Sequence, residues 1–228
     1  KHVFVEKPLA LNETDAKIMI ETSNKNNVKL MVGHLLHYHP IFKEIKNIIK
    51  EGQIGKLEYI QSNRLSFGRY RSEEDIVWSF APHDISMILT LANEKPKIIK
   101  SNVKSIIKEN HADIGNIFME FPSGLKSNIF VSWINTNKEV KLTITGSSAM
   151  LIFDDLKPWE EKLSFYSYDI KKSDNLININ KSSLKFIEVT EEEPLKNECK
   201  HFIKVIEQNI QPLTDGNEGL EVIKILSK

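Results

Sequence analysis

Apolar and polar positions along this chain change rhythm near residue 55, and the change divides the reading in two. At the start, Val3-Phe4-Val5 is a short β-branched and aromatic run, stopped by Glu6-Lys7-Pro8. That is the pattern of a buried strand that ends abruptly at a proline. Asn12-Glu13-Thr14-Asp15 resembles a capping box, and the positions after it predict a helix to about Asn26. Lys29 to His34 reads as a second buried strand. Strand, helix and strand at this spacing form a βαβ unit, whose strands are parallel and covered on both faces. Pro40 suits the first turn of another helix, with Ile41, Ile45, Ile48 and Ile49 on one face and Gly52 and Gly55 closing it.

Beyond Gly55, strands follow one another. Leu57 to Phe67 is a long one, and a helix is predicted from about Pro82 to Ala92. Strands are then predicted over Lys97–Lys108, Ile114–Phe121, Leu125–Ile134 and Glu139–Thr145, with Pro122-Ser123-Gly124 as a turn between two of them. Weaker strand signals cover Ala149–Phe153, Lys162–Tyr168 and Leu184–Val189, and the polar stretch Lys171–Ser183 reads as a loose hairpin or loop. Direct succession of strands indicates a mostly antiparallel sheet. Leu195, Cys199, Phe202, Ile203 and Ile206 form the apolar stripe of one closing helix. Asp215-Gly216-Asn217-Glu218 caps another, which buries Leu220, Ile223 and Leu226. The fold class is therefore α/β: the end of a parallel α/β domain, then an α+β domain with a mostly antiparallel sheet. The boundary falls between Gly33 and Pro40, dividing residues 1–36 from residues 37–228.

Composition narrows the class. Among 228 residues, Lys+Arg and Asp+Glu balance at 31 each, and no basic block speaks for nucleic-acid binding. No apolar run reaches the length of a membrane span, and no signal-peptide pattern is present. The single Cys199 excludes an internal disulfide, suits a reducing cytoplasm and, on its apolar stripe, reads as a buried structural thiol. The chain begins at Lys1, almost at once inside a central strand, which implies the C-terminal part of a longer polypeptide. Neither G-x-G-x-x-G nor a P-loop occurs, so a nucleotide-binding first half would precede Lys1.

Arginine is nearly absent: the only three are Arg64, Arg69 and Arg71. A chain that otherwise uses lysine keeps such a cluster either to grip a phosphate or carboxylate with a planar fork, or by chance on a solvated loop. Lys7 stands at the carboxyl end of a strand, where open α/β sheets hold ligands, and can meet a hydroxyl or a cofactor, or else form a salt bridge. His83 follows Pro82 at the start of a predicted helix and suits a general base, or else a capping or packing role. His34, His37 and His39 have a metal-like spacing, but on an extended segment 34 and 37 point to opposite faces, and no acidic or Cys partner has ligand spacing nearby. No metal is expected; His37 and Tyr38 are expected to line a pocket at the domain junction.

Taken together, V-F-V-E-K-P at 3–8, V-G-H with Y-H-P at 32–40, G-Q-I-G-K at 52–56, A-P-H-D-I at 81–85 and L-T-D-G-N-E-G at 213–219 resemble the Gfo/Idh/MocA family of nicotinamide-dependent oxidoreductases. Within that family, G-H-L-L-H-Y-H-P, N-R-L-S-F-G-R-Y-R and V-W-S-F-A-P-H-D-I-S are most similar to dehydrogenases that oxidise a ring hydroxyl of UDP-N-acetylated sugars. The resemblance implies that 1–36 is the remnant of a Rossmann-type dinucleotide-binding domain and 37–228 a substrate-binding and oligomerisation domain with a large open sheet, and it implies NAD or NADP as cofactor, met by Glu6, Lys7 and Pro8. It also implies Lys7 and His83 as catalytic residues, and a homo-oligomer packed through the open sheet. His37, Tyr38, Asn63, Arg64, Arg69, Arg71 and His83 are the expected substrate contacts, the arginines for a diphosphate. Many members carry an Asp four residues before the histidine; here that position is Ser79. The alternative is a non-catalytic sugar-binding or assembly module of the same fold.

Overall fold

Strand β1 (Val3–Glu6) and strand β2 (Leu30–Gly33) pair in parallel, with Glu6 opposite Gly33, and helix α1 (Glu13–Lys25) connects them. This computed structural model describes residues 1–68, 70–173 and 176–228. Asn12 caps α1 by accepting the Asp15 N–H. β2 is buried throughout, and on its other side the Val32 N–H donates to the Thr214 carbonyl at 2.8 Å. Residues 214–215 therefore run along β2 as a short third ribbon.

After β2 the chain makes a 3-10 turn over Leu35–Tyr38 and enters α2 (Pro40–Lys50), capped by the His39 ring. The extended geometry expected for 34–39 is not found. In a 3-10 turn, positions i and i+3 eclipse, so His34 and His37 share a side instead of facing apart.

Strand β3 (Leu57–Phe67) then opens the large sheet, and α3 (Ile76–Ala92) crosses its inner face. The strands that follow are β4 (Ile98–Lys104), β5 (Ile114–Glu120), β6 (Lys126–Ser132), β7 (Ile134–Gly146), β8 (Ala149–Asp154), β9 (Leu163–Ser173), β10 (Leu176–Lys181) and β11 (Lys185–Phe186). Among the described residues they form one nine-stranded sheet in the order β10-β9-β8-β7-β3-β6-β5-β4, with β11 also on β9. Every pairing is antiparallel except β3 with β6. The β5–β6 hairpin turns at Gly124, whose φ of +91° is open to glycine at little cost. The polar stretch 171–183 is mostly a β9–β10 hairpin, and Asp174 and Asn175 lie outside the described residues.

α3 starts six residues earlier than expected. Asp75 accepts the N–H groups of Val77 and Trp78 and fixes the start at Ile76. Pro82 is thus inside the helix, where it lacks the N–H that the Trp78 carbonyl would receive.

Helices α4 (Pro194–Glu207) and α5 (Gly216–Leu226) end the chain. The main core lies between the large sheet and α2, α3 and α5, while Leu9, Ala16, Leu30, Val32, Leu220 and Ile223 form a second, smaller core. α5 belongs to both, through Val222, Ile225 and Leu226 on one side and Leu220 and Ile223 on the other. α4 departs from its pattern. Its buried residues are Glu198 and Val205, with Phe202 against the Phe4 ring at 5.4 Å, whereas Leu195 (58% exposed), Ile203 (53%) and Cys199 face outward. Cys199 is therefore not a buried thiol. The helix packs through the 198–202–205 face, turned away from its most apolar stripe. No helix among the described residues is long and apolar enough to cross a membrane.

α5 can lie this close to β2 because position 219 has no side chain. A Cβ there would sit 2.9 Å from Val32 Cγ2 and 3.1 Å from Leu9 Cβ. Gly219→Ala should cost about 1–3 kcal/mol by overpacking, read as a lower urea midpoint at unchanged m-value. An unchanged midpoint would show that the small core yields freely.

Candidate active site

β1 ends at Glu6, so Lys7 leaves the sheet at the carboxyl edge of the β1–β2 pair, where parallel sheets present ligands. Its Nζ donates to the Ser79 carbonyl at 2.7 Å. Ser79 and His83 are four residues apart on α3 and share one face of the helix. The strand end and the helix thus bring the Lys7 ammonium to the turn that carries His83. Pro8 follows, and Leu9 is anchored in the small core.

Both groups are tuned by burial. It pushes the Lys7 ammonium below the ordinary lysine value; Glu74 pulls it back up, and Arg71 lowers it further. Burial, then the charges of Arg64, His34 and Lys7, hold His83 well below the ordinary imidazole value, so its ring is neutral at neutral pH. His83 Nδ1 is sealed from solvent without a hydrogen-bond partner.

A buried polar network backs this pair. His34 Nδ1 lies 2.6 Å from Glu218 Oε2, and His37 Nε2 lies 2.6 Å from Ser86 Oγ. Ser86 Oγ donates in a short bond to Glu218 Oε1. The His34 ring meets His83 edge-on, centroids 6.3 Å apart. Burial works against the Glu218 carboxylate, but His34, by charge and hydrogen bond, and then His37 hold it below the usual glutamate range. Among the described residues no group of three or more His, Cys, Asp or Glu side chains is arranged to hold a metal.

The other expected contacts scatter. His37 and Tyr38 are buried, and the Tyr38 hydroxyl is engaged with Thr214 Oγ1 at 2.9 Å. Arg64 does not reach outward: it clamps Asp84 with two bonds, Nε–Oδ2 at 2.8 Å and Nη2–Oδ1 at 3.0 Å, while Ser62 Oγ donates to the same carboxylate. Asn63, the next residue of β3, must point to the opposite face, where it donates to Glu139 at 2.7 Å. Arg71 is half-exposed and pairs with Glu74 at 2.6 Å. Arg69 lies outside the described residues.

Glu74, Ser86, Glu198 and Glu218 were not singled out as site residues from the sequence. Glu218 carried a signal, as the acidic member of a capping box, but its side chain goes to His34 and Ser86 instead of back to its own helix. Glu198 is buried, its Oε1 has no partner, and burial followed by the nearby Glu6 pushes its carboxyl up to about 7.

The end of a parallel sheet, a lysine at its edge and a largely buried, neutral histidine on the neighbouring helix make up the candidate site. Residues 1–34 match the oxidoreductase family with an NAD-binding Rossmann fold, and residues 42–152 match the GFO/IDH/MocA C-terminal domain. The chain belongs to the Gfo/Idh/MocA family of oxidoreductases, and its first 34 residues fall in that family's NAD-binding Rossmann fold.

Inositol 2-dehydrogenase of Rhizobium meliloti (strain 1021) is 22% identical over 236 residues, covering 99% of this chain and 69% of that protein. UDP-N-acetylglucosamine 3-dehydrogenase of Acidithiobacillus ferrooxidans is 23% identical over 132 residues, covering 58% of this chain and 41% of its own. The structure of a UDP-N-acetylglucosamine 3-dehydrogenase from the same organism superposes with a TM-score of 0.83 at 19% identity, over 99% of this chain and 69% of that one. The chain thus spans at most about two thirds of the length of these relatives. At such identities the structural likeness establishes the fold alone.

The residues fit a nicotinamide cofactor: a cation and a carboxylate stand at the carboxyl end of β1, and His83, one helical turn from the carbonyl that Lys7 meets, has a buried ring nitrogen without a partner among the described residues.

Burial of neutral histidine also has a consequence for stability. His37 is held down to about 4, chiefly by burial, against an ordinary 6.5. Its neutral form stabilises the fold fully above pH 6.5, and that contribution is lost as pH falls toward 4. Unfolding free energy should drop by roughly 3 kcal/mol over this window from this residue, and His37→Gln should flatten the urea-melt slope there. An unchanged slope would mean that His37 protonates without cost.

Proposed function

We propose that this chain forms the substrate side of an NAD(P)-dependent dehydrogenase that oxidises a ring hydroxyl of a sugar to a ketone, and that the sugar is nucleotide-linked and N-acetylated. The observation that carries the reading is the meeting of Lys7 with the turn of α3 that bears His83, at the carboxyl end of β1. The similarity to inositol and UDP-N-acetylglucosamine dehydrogenases supports the substrate class.

In this reading Glu6, Lys7 and Pro8 hold the nicotinamide end of the cofactor, which when bound takes up the hydrogen and electron pair leaving the carbinol carbon. Lys7 donates to the substrate oxygen and draws its negative charge. His83, neutral in the resting protein, accepts the hydroxyl proton. His34, held by Glu218, meets the His83 ring edge-on, and Ser86 ties His37 to the same carboxylate. Arg64 is committed to Asp84, so of the two described arginines Arg71 is the one that can meet a diphosphate: Glu74 engages one nitrogen of its fork, and among the described residues the others have no partner. Partly exposed Phe118 and Phe130, with Asn63, lie on the outer face of the sheet, away from α3. That face supports packing against a second copy of the chain, readable as a dimer mass by light scattering.

The test is NADH fluorescence from the full-length polypeptide with NAD and UDP-N-acetylglucosamine. Sugar-dependent NADH formation is expected. His83→Ala should lower turnover by about 10²–10⁴-fold while NADH still binds. The acid limb of kcat/KM should lie below the ordinary imidazole value of 6.5, because burial and the neighbouring cations disfavour protonated His83. Undiminished turnover in His83→Ala would remove it as the base. Absence of both turnover and NADH binding would point to a non-catalytic module.

A further inference from the structure

Ser79 touches the site through two different atoms. Its backbone carbonyl accepts Lys7 Nζ at 2.7 Å, and its side-chain hydroxyl donates to Glu74 Oε1 at 3.0 Å. The same Glu74 oxygen accepts Arg71 Nη1 at 2.6 Å. Glu74 is thus pinned from two sides, one residue before the cap of α3, with Ser79 between it and Lys7.

The location explains why a carboxylate is needed there. Lys7 is partly buried and bonds to a neutral carbonyl in the first turns of α3, the positive end of the helix, where a cation is disfavoured. Arg71 and Arg64 add positive charge around it. Asp75 is nearby, but its Oδ1 is taken up by the N–H groups of Val77 and Trp78. Among the charged groups that act on Lys7, Glu74 has the largest influence, ahead of Glu6, and it acts in the direction that favours the ammonium form.

We propose that Glu74 is a positioning residue for Lys7: anchored by the Ser79 hydroxyl and the Arg71 guanidinium, its carboxylate holds the Lys7 ammonium against the turn of α3 that carries His83. Ser79 is then the joint between the two. Its hydroxyl fixes the carboxylate that its carbonyl alone does not provide. The inference rests on reading Lys7 as the group that meets the substrate hydroxyl, but its test does not require turnover.

The experiment is competitive acetylation of the full-length protein with acetic anhydride across pH 7–11, the reactivity of Lys7 being read by peptide mass spectrometry. In Glu74→Gln the Lys7 midpoint should shift to lower pH, because the amine loses its counter-charge. Ser79→Ala should move it in the same direction by releasing Glu74, while leaving the carbonyl in place. Glu74→Asp should restore part of the shift. Glu73→Gln should leave Lys7 unchanged, because Glu73 is bound to Ser72 Oγ. In the active enzyme the alkaline limb of the pH–rate profile should follow the same order, with the acid limb unmoved. An unshifted Lys7 in both Glu74→Gln and Ser79→Ala would overturn the proposal. A shifted Lys7 in a protein that oxidises no sugar would uphold the positioning role and reject the dehydrogenase reading.

Discussion

The largely buried carboxylate of Glu218 is the constraint on which the rest of this architecture depends. A charge taken out of water must be met by partners or it unfolds what surrounds it. Glu218 meets three demands at once. It sits in the first turn of α5, where the helix dipole favours an anion, and its oxygens are taken by His34 at the end of β2 and by Ser86 on α3. Those contacts fix how far α3 can slide along β2 and leave one geometry in which Ser86 also satisfies His37. The site inherits its rigidity from that arrangement. His83 is held beside His34 on a helix that cannot rotate without breaking the hydrogen bond from Ser86 to Glu218.

The local elements were largely legible because their signals are local. β3 follows the apolar run at Leu57–Phe67, and α1 starts where Asn12 caps it. Two elements misled for identifiable reasons. Pro82 reads as a helix start, yet Asp75 offers a stronger one, and the helix tolerates the lost hydrogen bond. The apolar stripe of α4 reads as a buried face, but that helix packs through Glu198 and Phe202, and no periodicity rule would choose a glutamate for the inside.

The site was legible in part. Lys7 and His83 stand out because a lysine after a strand and a histidine beside a proline are unusual in composition and position. Glu74 and Glu218 do not stand out, since exposed and buried glutamates look alike in sequence. The arginine cluster illustrates the same limit. Its rarity drew attention, but rarity does not reveal a partner. Asp84, one residue after His83, claims the fork of Arg64 from across the sheet–helix interface, and only the fold brings them together.

The bond between His34 and Glu218 spans 184 residues. On a ribosome adding about 5–20 residues per second, β2 emerges roughly ten to forty seconds before the helix that completes it. Throughout that interval His34 lacks its carboxylate partner and Val32 lacks the cover of Gly219, and the ends of a very long loop must still find each other. Synthesis therefore imposes an order on assembly: until α5 is made, the large sheet lacks Val222, Ile225 and Leu226 and His34 lacks its carboxylate. The last helix described thus completes both cores at once, Leu220 and Ile223 in the smaller and Val222, Ile225 and Leu226 in the larger.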